Sequence, residues 1–540
     1  MSRKVSMPEP VADPLLPVRE LAHWLVGATL HIVLGLVLGL VAARLMRGRD
    51  LHWSWAGAAL VPIVAARRSL SGLISPAAVA AFAALIWSRR WHREDVEAGA
   101  DLALLAARRR GPLDLLCRIA HGVSLRRRES RAGERWFSGT GLILARDAKG
   151  RAVSIPFDGA NGGSHTLIVG ATGSGKTVTQ TWIAARAIER GMGAIVIDPK
   201  GDRAMRSQLL AAARAAERAF IEWTPEGSCA YNPFARGSDT EIADKALAGE
   251  RFTEPHYMRQ AQRYLGHVVR ALRRSGAEVS LRGIVEHLDP ARLEVLVREL
   301  PESQAQPTHA YLDSLTPRQQ SDLAGVRDRL AILAESDLGQ WLDPGTESAE
   351  RFDLLHAAQA QEVVYFNLDS DSRPLLTQML GAAIVQDLLT TVAALQGRPV
   401  RTLVVIDEFS AVAAEQVVRL FGRARSAGFS LILSTQELAD LRLPGRERLL
   451  EQVMGNLSVL LAHRQVVPDS ARLISSLAGT KGTWKSSRHS DGRFTRTRTA
   501  EHVLRAEEIA GLPRGWAAVI VLADGGSARV ARVLSARIGG

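Results

Sequence analysis

Residues 165–177 read HTLIVGATGSGKT. Thr166 to Val169 is a short, apolar, β-branched run, the composition of a strand buried on both faces. Gly170 to Thr177 then fits the spacing G-x-x-x-x-G-K-[ST] of a phosphate-binding loop. In the loop formed by Gly170, Ala171, Thr172, Gly173, Ser174, Gly175, Lys176 and Thr177, the three glycines let the backbone curl until several N–H groups point at one anion. Lys176 supplies a point charge for the β- and γ-phosphates, and Thr177 supplies a hydroxyl for Mg²⁺. The helix expected from Val178 to Arg190 adds the partial positive charge of its N-terminus at the same place. A strand before and a helix after separate this motif from an ordinary Gly-rich turn.

Downstream, apolar runs alternate with helical ones. In GAIVIDPKGD (193–202), Ala194 to Ile197 reads as a buried strand, and Asp198 to Asp202 as a polar turn at its carboxyl end, where ligands lie in open α/β sheets. Ala219 to Trp223 reads as a further strand, followed by Tyr231-Asn232-Pro233-Phe234. From about 236 to 350 strand-like runs disappear, and Arg, Glu, Ala and Leu recur at helical spacing, too long a stretch for a loop. The basic face of residues 258–276 (Arg259, Arg263, Arg270, Arg273, Arg274) reads first as solvated surface and second as a contact for an acidic partner.

Sheet character resumes at 362–370, a helix follows (Leu375 to Leu395), and RTLVVIDEFS (401–410) ends a fully apolar strand in Asp407 and Glu408. In an ATPase the first carboxylate belongs beside Mg²⁺ and the second polarises the attacking water. Ala411 to Ala427 reads as a helix carrying Arg423 and Arg425. FSLILSTQE (429–437) is one more buried strand, ending in Thr435 and Gln436, whose amide is placed to contact the γ-phosphate or the water. Residues 480–499 hold six Lys+Arg, one Asp and two aromatics, Trp484 and Phe494. They read as a mobile loop, either plain disorder or a single-stranded nucleic-acid contact. A late strand is expected at 517–524.

Upstream, Leu21 to Ala43 is 23 residues without Asp, Glu, Lys or Arg, long enough to span a bilayer. Leu51 to Ala66 is short and holds Pro62, and Ser69 to Ser88 is a second full-length candidate. Trp24, Trp53, Trp55, Trp87 and Trp91 lie near the ends of these runs, as an interfacial belt does. Arg89, Arg90 and Arg93 favour the inside after the last span and Arg44, Arg47 and Arg49 favour it too, which not every span count allows; two spans with both termini inside is the first reading and three with the N-terminus outside the second. Residues 1–20 show no cleavable signal. Residues 95–135 alternate Leu/Ala with Arg clusters and read as a basic juxtamembrane linker. Trp136 to Phe157 alternates on both sides of Lys149-Gly150, a β-hairpin.

The net charge of +12 divides unevenly. Residues 1–135 carry 20 Lys+Arg against 11 Asp+Glu, and the other 405 residues 48 against 45, so the excess sits beside the apolar segments and suits an anionic membrane surface. Seven Lys against 61 Arg make Lys176 and Lys200 stand out. Two cysteines, Cys117 and Cys229, exclude a disulfide framework and read as buried thiols.

Taken together, GATGSGKT, IDPKGD, YNPF, the helical insertion, VVIDEFS and LILSTQ resemble the type IV secretion coupling proteins, the TraD/TraG-type conjugative ATPases related to the HerA and FtsK translocases. The resemblance covers about residues 136–540. It implies an α/β fold: a RecA-like P-loop NTPase motor with an inserted all-α domain and an N-terminal transmembrane helical anchor. The expected division is an anchor over 1–94, a linker over 95–135, motor over 136–235, the insertion over 236–355 and motor again over 356–540. By resemblance Lys176 and Thr177 act on phosphate and metal, Asp407 on Mg²⁺, Glu408 as catalytic carboxylate and Gln436 as sensor. Arg425, or else its neighbour Arg423, reaches into the adjacent subunit's site. The implied ligands are ATP and Mg²⁺. The implied partners are DNA, single-stranded with a relaxase and bound without sequence preference, together with secretion-channel proteins. The implied assembly is a homo-hexamer in the bacterial inner membrane with its motor in the cytoplasm. The short loops between spans leave little room for the periplasmic domain found in part of the family. A double-stranded DNA pump of the FtsK/HerA kind and a receptor ATPase that delivers protein substrates remain as alternatives.

Overall fold

The computed structural model describes residues 15–49, 51, 55–56, 75–97, 136–138, 141–148, 150–159, 162–227, 229–250, 252, 254–343, 350–412, 414–442, 448–488, 494–522 and 527–534. They fall into two compact units, residues 1–133 with 480–501, and residues 134–479 with 502–540.

In the first unit, helix α1 (Leu16–Gly48) has 33 residues, about 50 Å at 1.5 Å per residue. Its Val18–Arg47 segment is long and apolar enough to cross a membrane, and most of its surface is uncovered. Helix α2 (Pro76–Glu97) packs on it. Contact is close because Gly35 and Gly39 lie one turn apart on one face. A Cβ on Gly35 would sit 2.5 Å from Val79 Cβ, and one on Gly39 2.6 Å from Ala83 Cβ. Small residues spaced four apart permit this approach where no hydrophobic effect drives helices together. The second expected span begins at Ser69. Residues 69–74 lie outside the described residues, and α2 is uncharged from Pro76 to Ser88 before Arg89 and Arg90. Most of the short apolar run 51–66, residues 98–135 of the basic linker, Trp53, Cys117 and Lys149 also lie outside them.

The second unit is built on a 12-stranded sheet. Its first strands are the two-residue Phe137–Ser138, then β1 (Gly141–Asp147) and β2 (Ala152–Pro156), the expected hairpin, then β3 (His165–Val169). Helix α3 (Lys176–Glu189), β4 (Gly193–Asp198), α4 (Arg203–Ala215), β5 (Phe220–Trp223) and the short β6 (Cys229–Tyr231) follow. Helices then run alone from α5 (Asp239–Leu247) through α6 (Pro255–Arg274) to a helix ending at Ala334. Strand β7 (Glu350–Phe352) pairs with β6, a short strand inside the stretch read as helical.

Beyond come β8 (Val363–Asn367), α7 (Pro374–Ala394), β9 (Thr402–Ile406), α8 (Ala414–Ala424), β10 (Phe429–Thr435), β11 (Val459–Ala462), β12 (Trp516–Val521) and β13 (Ser527–Val533). Helix α7 is as apolar as a membrane span but mostly buried in the core. The order across the sheet is Phe137–Ser138, then β1-β13-β12-β11-β3-β10-β9-β4-β8-β5, with β2 paired to β1 off this path. From β11 to β5 every pairing is parallel, and from β11 back to β1 every pairing is antiparallel. Alternate residues serve opposite faces. Ala194, Val196, Leu403 and Val405 face α3 and α4, whereas Ile195, Ile197, Val404 and Ile406 face α7 and the helical insertion.

Residues 480–499 are not the loop that composition suggested. Thr480–Arg488 and Phe494–His502 form a two-stranded sheet. The alternation T-R-T-R-T over residues 495–499 supplies the β-branched residues that a strand favours. Its tip and the side chains of Trp484 and Phe494 lie outside the described residues.

A buried ion pair ties the insertion to the motor. Lys245 on α5 donates to Asp387 Oδ1 on α7 at 2.6 Å, and to the carbonyls of Pro233 at 2.9 Å and Arg236 at 2.6 Å. Tyr231 OH donates to Asp387 Oδ2 at 2.7 Å. The YNPF stretch is therefore a structural clasp. Lys245→Met leaves a buried carboxylate unpaired and is expected to cost about 3–5 kcal/mol. Urea unfolding of the detergent-solubilised chain checks this, and a midpoint unchanged from wild type would contradict it.

Candidate functional site

All the parallel strands end at one edge, and the phosphate loop lies in the middle of it. Gly173 (φ +74°) and Gly175 (φ +117°) occupy the left-handed region that glycine tolerates. Gly170 is required for space, since a Cβ there would sit 2.6 Å from His463 Cβ and Ser174 Oγ. Lys176 Nζ donates to the Gly170 carbonyl at 2.5 Å. Among the described residues the buried Ser174 hydroxyl has no partner, which fits a cradle whose donors are meant for an anion. Burial lowers the Lys176 pKa, while the Glu408, Asp407 and Asp440 carboxylates oppose that.

The carboxylates arrive from β9. Asp407 is buried, and its Oδ1 accepts from the Ser434 hydroxyl and, at 3.0 Å, from the Glu408 N–H. Glu408 has φ +45°, a conformation that costs a non-glycine residue on the order of 1–3 kcal/mol and collects at functional sites. Its Oε1 accepts the Gln436 backbone N–H, and its Oε2 the Gln436 Nε2, each at 3.3 Å. The Thr172 hydroxyl in turn donates to Gln436 Oε1 at 3.2 Å. Loop, amide and carboxylate thus form one chain of hydrogen bonds. Thr177 and Asp407 offer hard oxygen donors of the kind Mg²⁺ takes, and with the unpartnered Ser174 hydroxyl the donor set fits a metal-bound phosphate.

Arg425 lies elsewhere. It opens the 3-10 turn Arg425–Ala427 just before β10, and its Nη2 donates to Ser458 Oγ at 3.3 Å. Gln436 follows the other end of β10, whose seven residues span roughly 23 Å. Arg425 therefore cannot reach this chain's own phosphate loop. Arg423 lies on α8 within electrostatic reach of Glu241 in the insertion. The basic face of α6 is largely engaged: Arg270 and Arg273 pair with Asp239, Arg274 donates to Gln304 O, and Arg263 covers the Tyr311 ring.

Sequence reading placed the 198–202 turn at the ligand edge without the structural part that Asp198 plays in it, and it missed His463. Asp198 is buried and accepts N–H bonds from Lys200 at 2.9 Å, Gly201 at 3.0 Å and Asp202 at 2.6 Å, plus the Tyr365 hydroxyl. His463 follows β11 and packs behind the loop. The Trp516 carbonyl, 3.0 Å from Nδ1, can only accept, so Nδ1 carries the proton and Nε2 takes the Thr179 hydroxyl at 2.9 Å. Ala171 N–H to Arg464 O at 3.0 Å and Gly515 N–H to Ser174 O at 3.1 Å complete the brace. The available signal was a His directly after an apolar run that ends beside the loop.

Residues 401–514 match the family model for the TraM recognition site of TraD and TraG, and residues 144–233 that for the central domain of helicase HerA. The fold is similar to the bacterial conjugative coupling protein TrwBΔN70 in its unbound form, at 17% identity over 74% of this chain and 93% of that one, with a TM-score of 0.54. It is also similar to TrwB in complex with ADP and Mg²⁺ (17% identity, 69% and 86% covered, TM-score 0.53). VirB4 of Thermoanaerobacter pseudethanolicus is a third likeness (15% identity, 75% and 99% covered, TM-score 0.51). No curated protein matches the chain in sequence. At these identities the structures speak for the fold, a P-loop ATPase fold like that of TrwB, and the two matched segments for the resemblance to coupling proteins.

Burial pushes three histidines, His165, His267 and His463, from 6.5 down to about 4. The unfolded chain binds protons between those values that the folded chain refuses, so stability is full above about pH 6.5 and falls toward pH 4. Each histidine contributes on the order of 1–3 kcal/mol to that slope. Melting temperature followed from pH 7 to pH 5 should fall, and His463→Gln should flatten the fall. An identical slope in wild type and variant would contradict the assignment.

Proposed function

We propose that this chain, which resembles coupling proteins of the HerA/FtsK superfamily in its two matched segments and its fold, is an inner-membrane-anchored ATPase. It works as a homo-hexameric ring and drives DNA, single-stranded and carrying a relaxase, into a type IV secretion channel. The observation that carries the reading is a split site. Lys176, Asp407, Glu408 and Gln436 meet at one edge of the sheet, while Arg425 sits at the opposite end of β10. An arginine at the γ-phosphate speeds phosphoryl transfer, and in this reading a second copy of the chain supplies it.

In this reading the loop N–H groups and Lys176 hold the triphosphate. Thr177 and Asp407 would hold Mg²⁺, which would supply positive charge to offset that of the phosphates. Glu408 accepts the proton of the attacking water, and Gln436, bonded to both Thr172 and Glu408, fixes that water's place. Arg425 of the next subunit meets the charge that develops on the γ-phosphate, which makes turnover depend on assembly. The apolar helix α1 anchors the ring. DNA contact is mainly to phosphates, hence sequence-tolerant and salt-sensitive.

ATPase rate of the detergent-solubilised chain, measured against protein concentration, tests this. The rate should rise more steeply than in proportion, increase with single-stranded DNA, vanish in Lys176→Ala, and drop about 10³-fold or more in Arg425→Ala. Stimulation by double-stranded DNA alone would support an FtsK/HerA-like pump instead. A rate proportional to protein and indifferent to DNA and Arg425 would overturn the translocase reading and favour delivery of protein substrates, to which the near-neutral motor (48 basic against 45 acidic residues over 136–540) is suited.

A further inference from the structure

Seven lysines occur in a chain with 61 arginines, and three of them lie in the second unit's working parts. Lys176 belongs to the phosphate loop and Lys245 to the buried clasp. Lys200 has no part in either.

The backbone under Lys200 is fixed. The Asp198 carboxylate gathers three successive N–H groups and the Tyr365 hydroxyl. Gly201 sits at φ +69°, a left-handed conformation that glycine adopts without strain, and a Cβ there would press on the Asn367 side chain. The turn is a rigid platform at the carboxyl end of β4. The Lys200 side chain is half-exposed, and its Nζ stands 3.6 Å from Glu408 Oε2. Because Gln436 holds the Glu408 carboxylate from both its backbone N–H and its Nε2, the ammonium sits beside the group assigned to the attacking water. It is also close enough to lower the Lys176 pKa through its charge.

Lys176 therefore faces the carboxylates of Asp407, Glu408 and Asp440, and Lys200, on an independent support, meets the same cluster at Glu408. Lys176 is buried and tied to its own loop. Lys200 is a flexible stem on a fixed base, and a swing of its terminal methylenes moves its charge from Glu408 to an anion next to it. Arginine would be a poorer choice, because its planar fork suits bidentate partners, whereas a compact ammonium exchanges readily between single oxygens.

We propose that Lys200 reads the terminal phosphate: it exchanges its contact with Glu408 for the γ-phosphate oxygens and so distinguishes a nucleoside triphosphate from a diphosphate. This rests on the nucleotide-hydrolysing reading of the site. The exchange frees Glu408 from its ion pair at the moment a hydrolysable phosphate is present. A bystander lysine that merely neutralises Glu408 would show no preference between the two nucleotides.

The test is equilibrium binding of fluorescent ADP and of a fluorescent non-hydrolysable ATP analogue to the full chain in detergent with Mg²⁺, which needs neither DNA nor turnover. Lys200→Ala should weaken the triphosphate analogue roughly tenfold while leaving ADP within about twofold, the loss of one charge-assisted contact. Lys200→Arg should recover part of the difference. Glu408→Gln, which removes the competing ion pair and keeps Lys200, should bind the triphosphate more tightly. The double variant Glu408→Gln/Lys200→Ala should lose that gain. An unchanged ADP-to-triphosphate ratio in Lys200→Ala, with wild-type binding intact and lost in Lys176→Ala, would overturn the role of Lys200 alone. Absence of binding to the wild-type chain would overturn the nucleotide reading, and this role with it.

Discussion

A buried ammonium among carboxylates governs the working edge of this sheet. Burial lowers the proton affinity of Lys176, Lys200 adds to that, and Glu408, Asp407 and Asp440 work against it. A charge held in this balance is useful only if its neighbours stay in place. The loop is therefore supported from outside itself. Arg464 and Gly515 hold it through the backbone, and neutral His463 fills the space behind Gly170. Much of this support comes from β11 and the antiparallel strand β12, so the extra strands beside the parallel sheet serve the site as well as the core.

The same geometry places the two ends of β10 in different roles. Its carboxyl end presents Gln436 to Glu408, and the turn before its amino end presents Arg425 beside Ser458. A parallel strand delivers its polar ends to opposite edges, and no rotamer of Arg425 spans the distance between them. Strand length thus keeps Arg425 away from this chain's own phosphate loop. The insertion is coupled to this arrangement through α7, whose Asp387 receives Lys245 and Tyr231. Nothing in that clasp touches the phosphate loop, so its contribution is to the fold.

Much of this was legible in the residues. Strands β3, β4, β9 and β10 are buried, mainly apolar runs that end abruptly in polar residues, because parallel strands are buried on both faces and stop where ligands begin. Lys176, Asp407, Glu408 and Gln436 stood out for that reason, and they do meet. What escaped reading depends on distance in sequence. Lys245 and Asp387 lie 142 residues apart, and neither marks itself as buried. His463 lies 284 residues from Thr179. Strand β13 alternates SARVARV at an antiparallel position, a weaker pattern than a buried run. The paired strands over 480–502 were hidden by a charged, Ser/Thr-rich composition that reads as disorder until the alternation of threonines is weighed.

The central claim is that each site is shared between two copies of the chain. It is tested by mixing Lys176→Ala chains, which keep Arg425, with Arg425→Ala chains, which keep the phosphate loop, and measuring ATP hydrolysis. Each variant alone should be inactive. The mixture should recover activity, because an Arg425→Ala subunit beside a Lys176→Ala subunit regains a complete site at that interface. A mixture no more active than its separate components would contradict the shared site and the ring built on it.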